Sequence, residues 1–359
     1  MPPRLLGLYI LVCVATGVLS FLRVFPESWQ TQFQEAAIYR QLVPAVSFFA
    51  ASWASKAYFR RRLKFGDPLA GAPLIFVLSF IVAPVLTFAQ GFSYEGAGTL
   101  RSVVGLYGAF LNNVIIGLFF VTGFVFLRTG WRCYACTIMI VVIAATTFFI
   151  QFKILMAAVI TIITGFSSRT IVISLSIAFV IIYAIGISYV PQALAADPNS
   201  GIRLAFVADA ISSVIDTYGV GIGYGTESVR FVYRFAGMPD FHFLPDPTAL
   251  SEQQLLPLLS TGVHNSFVQA MLRTGILGFS LLVAANLVLL PSRRLPRVVR
   301  SHAACLFCII FIACFVNPAL ESPVQLIGIG FLYGYLISLR AQRKPQSLIR
   351  LAAARASDG

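Results

Sequence analysis

Charge is scarce in this chain, and negative charge is scarcest. Only 11% of the 359 residues are Asp, Glu, Lys or Arg, and 13 acidic side chains stand against 26 basic ones. A soluble domain carries about 25% charged residues, so an ordinary water-facing surface is excluded. Other absences narrow the field further. No Gly-Lys-Ser/Thr follows the glycine-rich stretch 219–225, which removes a Walker-type phosphate loop. The polar stretch 193–264 holds no cysteine, so no disulfide ties it. There is no tandem repeat. The first apolar segment has no small-residue cleavage site and reads as a retained helix, not a removed signal.

Apolar sequence fills the space that charge leaves. Hydrophobic residues make up 58% of the chain, 32 residues are Phe, and the mean hydropathy is +0.86. No soluble domain has interior enough for that, so the expectation is a polytopic membrane protein. The formal net charge of +13 falls in short clusters between apolar runs. That is the signature of cytoplasmic loops, and no nucleic-acid partner is read from it. The six cysteines include two C-x-x-C pairs, Cys133/Cys136 and Cys305/Cys308. Each opens an apolar segment with no histidine pair or acidic cluster beside it. They read as small core residues, and no metal is assigned.

A spanning helix needs about 20 mostly apolar residues. Leu5–Phe25, Ala37–Tyr58, Leu69–Gln90 and Ser102–Leu127 meet that length. Cys133–Gly165, with Gln151 and Lys153 near its middle, reads as two short spans. Ile171–Val190, Ile276–Leu290, Ala303–Val316 and Val324–Leu339 complete the set. The expectation is an all-α integral membrane protein of about ten transmembrane helices, with both ends of the chain in the cytoplasm and one large outer loop between the seventh and eighth spans. Every basic cluster then falls on one side. Residues 1–165 form the N-terminal helices, and 166–340 carry the outer loop 193–264 and the last spans. Residues 341–359 are a basic cytoplasmic tail.

The outer loop is patterned. Asp197, Asn199 and Ser200 are candidate caps for a helix starting near Gly201. Leu204, Val207, Ile211, Val214, Ile215 and Tyr218 recur on one helical face, with Asp209, Ser212, Ser213 and Asp216 on the other. Such a helix lies flat on the membrane or on the bundle. Arg203 sits in its first turn, either as part of an anion site or as a side chain reaching lipid phosphate. Gly219, Gly221, Gly223 and Gly225 then alternate, as a plain turn or as backbone shaped for close approach to a ligand.

At the end of the loop, four-residue spacing sets Asn265, Gln269 and Arg273 on one helical face leading away from His264. A titratable group beside a polar stripe entering apolar sequence is costly to bury and easy to use. The alternative is a helix cap with interfacial anchors.

Taken together, Arg203, Gly221-Gly223-Gly225, His264-Asn265, Gln269 and Gly275/Gly278 resemble the O-antigen ligase and Wzy-type polysaccharide polymerase family of bacterial inner-membrane glycosyltransferases. Ser168-Arg169-Thr170 is similar to that family's Ser-Arg motif. The resemblance covers about residues 164–279. It implies a GT-C-like bundle, the inner membrane, and an active site facing the periplasm. The implied partners are an undecaprenyl diphosphate-linked glycan, membrane lipid and other polysaccharide-synthesis membrane proteins. His264 and Arg203 are the implied catalytic residues. Arg273, Asn265, Gln269, Arg169, Gly221, Gly223 and Gly225 are the implied substrate-binding ones. A lipid diphosphate leaves without a bound metal, no Asp-x-Asp motif is present, and no cofactor is expected. Polymerisation of repeat units is the first expectation, and ligation to lipid A-core or another acceptor is the second. From other classes come a transporter or flippase for an anionic lipid or sugar, and a non-catalytic scaffold.

Overall fold

The computed structural model describes residues 2–26, 35–62, 198–225, 263, 265–292, 295–316 and 326–341, with the single positions 119, 174, 177, 181 and 185. Among them are six helices and no strand: α1 (Pro2–Phe21), α2 (Glu35–Arg62), α3 (Pro198–Asp216), α4 (Ser266–Val288), α5 (Arg297–Val316) and α6 (Leu326–Ala341). α1 and α4 are long and apolar enough to cross a membrane, and α5 holds a shorter apolar run, Val299–Phe315. Apart from the single positions, the expected spans over 69–90, 102–127, 133–165 and 171–190 lie outside the described residues.

α1 has apolar residues on both faces. Leu6, Tyr9, Cys13 and Gly17 point inward at helical spacing, while Leu8, Leu11, Val14 and Val18 are exposed. A helix apolar all round needs a core or a membrane against each face. It begins at Pro2, where a missing N–H costs nothing. It ends in a Schellman turn, with the Val24 N–H donating to the Leu19 carbonyl and the Arg23 N–H to the Ser20 carbonyl, both at 3.0 Å.

α2 and α6 run parallel and make the closest pairing of helices described. Gly330 and Gly334 on α6 are four apart, and Ser338 continues the row. Small residues at this spacing let backbones approach in an apolar medium, where packing and interhelical hydrogen bonds replace the hydrophobic drive. The Ser55 hydroxyl donates to the Phe331 carbonyl at 2.7 Å, and the Ser338 hydroxyl to the Lys56 carbonyl at 3.0 Å. Aromatic rings close the space beside this pair. Phe59 meets Phe331 and Tyr335 edge-on at 5.1 and 4.9 Å, and Phe119 meets both as well. His302 of α5 is buried against Phe119 and Tyr335. Cys305 and Cys308 are buried in the same apolar core. A polar link joins α4 to α6, where the Tyr333 hydroxyl donates to Asn286 Oδ1.

α3 departs from the sequence expectation in two ways. It starts at Pro198 rather than near Gly201, so Asn199 and Ser200 lie inside its first turn. Its buried face is also rotated. Val207 and Val214 are buried as expected, but Ile215 is 68% and Tyr218 89% exposed, while Asp209 is 3% exposed and Ser213 is buried. The reason is packing against α4, where Ala205, Phe206 and Ala210 join Val268 and Leu272 in one cluster. Small residues allow that approach, and the helix end throws Tyr218 outward.

The α2–α6 contact yields a sign test. A Cβ on Gly334 would lie 2.5 Å from the Lys56 nitrogen and 2.5 Å from Ser55 Cβ, whereas one on Gly7 of α1 meets nothing within 4 Å. Gly334→Ala is expected to destabilise by about 2 kcal/mol through overpacking. Gly7→Ala is expected to stabilise by about 0.5–1 kcal/mol through helix propensity. Thermal melting of the two variants in detergent checks both signs.

Candidate functional site

α3 ends in a Schellman turn. The Gly219 N–H donates to the Val214 carbonyl at 2.8 Å and the Tyr218 N–H to the Ile215 carbonyl at 3.0 Å. Tyr218 takes the left-handed position usually given to glycine, with φ 53°. From there every second residue has positive φ: Gly219 at 80°, Gly221 at 84°, Gly223 at 76° and Gly225 at 83°. The Thr217 hydroxyl donates to the Ser213 carbonyl at 2.9 Å and accepts from the Gly221 N–H at 3.1 Å, fixing the start of this stretch.

α4 is broken where the glycine stretch meets it. Gly275 has φ 66° and ψ −167°, a conformation essentially confined to glycine. In a continuous helix the Ile276 N–H would donate to the Leu272 carbonyl four residues back. Here Ile276 donates to the Gly219 carbonyl at 2.9 Å, and the Leu272 carbonyl accepts from the Ile222 N–H at 2.8 Å. The stretch is thus spliced into the helical ladder, and both orphaned groups are satisfied. The approach leaves no room for side chains. A Cβ on Gly275 would lie 2.5 Å from the Val220 oxygen, and one on Gly221 2.7 Å from both the Gly275 nitrogen and the Leu272 oxygen. Gly278 gives space to Thr274, whose hydroxyl donates to the Ala270 carbonyl at 2.6 Å.

Two more contacts hold the splice. Arg273, 2% exposed, donates from Nη1 to the Gly223 carbonyl at 3.2 Å. The Tyr224 N–H donates to the Ser20 hydroxyl of α1 at 2.9 Å. A guanidinium is therefore buried against the backbone of the glycine stretch, with the end of α1 as a third wall.

The start of α4 is built with equal care. Asn265, extended at φ −158° and ψ 113°, is the N-cap, and its Oδ1 accepts from the Phe267 and Val268 N–H groups at 2.9 and 3.1 Å. Gln269 reaches back one turn, where its Oε1 accepts from the Val263 N–H at 2.8 Å. The Asn265 N–H donates to the Val263 carbonyl at 2.6 Å. The residues on either side of His264 are thus fixed and buried. Asn265, 0% exposed, keeps its amide nitrogen without a hydrogen-bond partner among the described residues. α4 begins ten residues before the span expected from 276, because this cap starts it.

Of the candidate residues, Gly221, Gly223 and Arg273 meet at the splice, Gly225 lies two residues further along the glycine stretch, and Asn265 and Gln269 meet at the cap. The two groups are about 12 Å apart along the axis, eight residues at 1.5 Å each. The backbone of Arg203 lies early in α3, whose far end leads into the glycine stretch. The Arg203 side chain, and all of His264 and Arg169, lie outside the described residues. Thr217, Ser20 and the Leu272 and Gly219 carbonyls are structural partners that motif reading missed. The alternating glycines paired with a lone Gly275 were the available signal for the splice, and nothing local marked Ser20. No family model, no curated protein and no solved structure matches the chain. The likeness to the ligase and polymerase family rests on the motifs alone.

Two measurements test this geometry. On a straight helix Gly275→Ala would stabilise by about 1 kcal/mol. At a glycine-only conformation facing a carbonyl it is expected to destabilise by about 3 kcal/mol or more, visible as a lowered melting temperature. At the cap, Asn265→Ala is expected to lose about 1 kcal/mol while Asn265→Asp keeps its stability, because Asp caps as well as Asn.

Proposed function

We propose that this protein is an integral membrane glycosyltransferase of about ten spans that polymerises undecaprenyl diphosphate-linked repeat units at the periplasmic face of the bacterial inner membrane. What supports this most is the convergence of separate motifs. The glycine stretch and the Gly-x-x-Gly step interlock, a buried arginine lies between them, and Asn265, the residue after His264 in the sequence, caps the same helix about two turns away. Each motif alone is weak, and the glycine stretch, Gly275 and Arg273 gain weight from meeting at one place.

In this reading His264 takes the proton from an acceptor sugar hydroxyl, a task suited to a side chain that titrates near neutrality. The oxygen attacks the anomeric carbon of the donor. The glycosidic bond forms as the bond to diphosphate breaks, and the lipid diphosphate departs with its electron pair. Arg203, with Arg273 as a further cation, offsets the charge on that leaving group. Asn265 and Gln269 hold the chain on either side of His264.

Transport of an anionic lipid or sugar is the second reading, favoured by the break in α4, since discontinuous helices line substrate sites in transporters. The deciding experiment is the glycan length distribution in a deletion strain complemented with wild type, His264→Ala or Arg203→Ala at equal membrane abundance. Polymerisation predicts that single-repeat material accumulates and polymer falls about a hundredfold or more for His264→Ala. Normal length with no transfer to the final acceptor would identify a ligase. Repeat units trapped at the cytoplasmic face would identify a transporter, and an unchanged distribution would end the catalytic proposal.

A further inference from the structure

Three elements come to one level at the glycine splice, and each exposes apolar side chains there. Ile215 stands at the end of α3, Tyr218 and Val220 follow it, and Ile276 and Leu277 resume α4 after its break. Each of these five residues is more than half exposed. The two segments meet, because a Cβ on Gly219 would lie 2.8 Å from Ile276 Cδ1, which sets the Ile276 side chain against the backbone between Tyr218 and Val220. The end of α1 is tied to the same level by the bond from the Tyr224 N–H to the Ser20 hydroxyl, and it exposes Phe21, Leu22 and Val24. Apolar residues exposed singly are ordinary, whereas a group of them marks a contact surface.

Two spans fix the depth of this surface. The apolar window of α1, Arg4–Phe21, ends here after 18 residues. At 1.5 Å each that is about 27 Å, close to the thickness of a hydrocarbon core. The mostly apolar part of α4 starts here as well, since Asn265, Gln269 and Arg273 all precede Gly275. The end of α3 adds a residue suited to a boundary. Tyr218 holds φ 53°, which a bulky side chain takes only under strain, and its ring is 89% exposed, so protein packing does little to offset that strain. A tyrosine at the headgroup level sets its ring against acyl chains and keeps its hydroxyl wet, and such rings collect at membrane boundaries. Asp216 beside it is also exposed. At a boundary that carboxylate stays hydrated, whereas a protein docked on this surface would desolvate it.

We propose that the end of α3 dips into the bilayer boundary at this end of the bundle, with Ile276 and Leu277 among the acyl chains and Ile215, Tyr218 and Val220 at the headgroup level. The occupant of this surface is lipid. α3 is thereby anchored twice, its small-residue face on α4 and its end in the leaflet. Helices held at an interface bury their apolar side about 5–10 Å into the headgroup and acyl boundary. The splice, and Arg273 with it, is kept at the depth where lipids carry their phosphates. The inference rests on the reading of α1 and α4 as membrane spans and not on glycosyl transfer.

The test is depth-dependent fluorescence quenching of the full-length protein in phosphatidylcholine vesicles, with Trp29, Trp53 and Trp131 replaced by Phe so that one introduced tryptophan reports. The probes are Tyr218→Trp, which keeps an aromatic ring, and Ile215→Trp, which avoids the positive-φ position, so a folding defect in one leaves the other. Leu11→Trp, exposed midway along α1, is the control for a span. Both probes are expected to be quenched about twofold or more by lipid brominated near the glycerol, less by lipid brominated at the chain ends, and little by aqueous iodide. Leu11→Trp is expected to show the opposite order between the two lipids. Quenching of both probes by iodide and not by bromolipid would overturn the proposal, by placing the surface in water. Quenching by neither would overturn it too, by assigning the surface to a second copy or to another segment of this chain. Where Leu11→Trp responds to bromolipid and the probes do not, the anchoring of α3 fails alone. Where Leu11→Trp escapes bromolipid as well, the membrane-spanning reading fails with it.

Discussion

The exchange of backbone hydrogen bonds at Gly275 is the constraint on which the rest of this arrangement depends. An apolar medium tolerates no orphaned N–H or C=O group, each of which costs several kcal/mol there. α4 nevertheless gives up the bond between Ile276 and Leu272, and the stretch after α3 returns both partners through Gly219 and Ile222. The break is therefore satisfied through the glycine stretch, and that stretch is held in turn by the break, by Thr217, by Arg273 and by Ser20.

Other features follow from this dependence. The splice fixes where α3 ends, and so which of its faces meets α4. It brings the Gly223 carbonyl to Arg273, giving a buried guanidinium a backbone acceptor. It also brings Tyr224 to Ser20, which ties α1 to the same end of the bundle. The parallel α2–α6 pair, joined to α4 through Asn286 and Tyr333, forms the scaffold alongside. Arg273 and Ser20 are thus engaged in holding backbone. Asn265 and Gln269 follow the same pattern, since their oxygens are used to start α4 and to hold Val263. Arg340 closes the other end of the same helix.

Several elements were legible in advance. The apolar runs that predicted spans correspond to α1, α2, α4, α5 and α6 within a few residues at most ends. The starts of α4 and α5, ten and six residues before the expected ones, were the exceptions, because an apolar window registers neither a cap beyond a polar stripe nor the basic first turn of α5. The Asn265 cap was visible as one of two readings, and the structure gives its partners. The α3 stripe was misjudged at Ile215 and Tyr218 for a physical reason. Hydrophobic periodicity locates the greasiest face, whereas close packing against another helix selects the face with small residues such as Ala205 and Ala210. The row of Gly330, Gly334 and Ser338 was present in the sequence, but it acquires meaning only with α2 against it.

Composition and periodicity by themselves determined that this chain is apolar and that its described part is helical, and they singled out a glycine-rich stretch and a His-Asn pair. Those are local properties, set by side-chain hydropathy and by the conformations each residue permits. Tertiary structure alone decided that Gly275 interrupts its helix, that Gly219 and Ile222 replace the lost partners, and that Arg273 lies on the Gly223 carbonyl. These contacts join residues about fifty positions apart. A hydrogen-bond vacancy in one segment leaves no local mark on the segment that fills it.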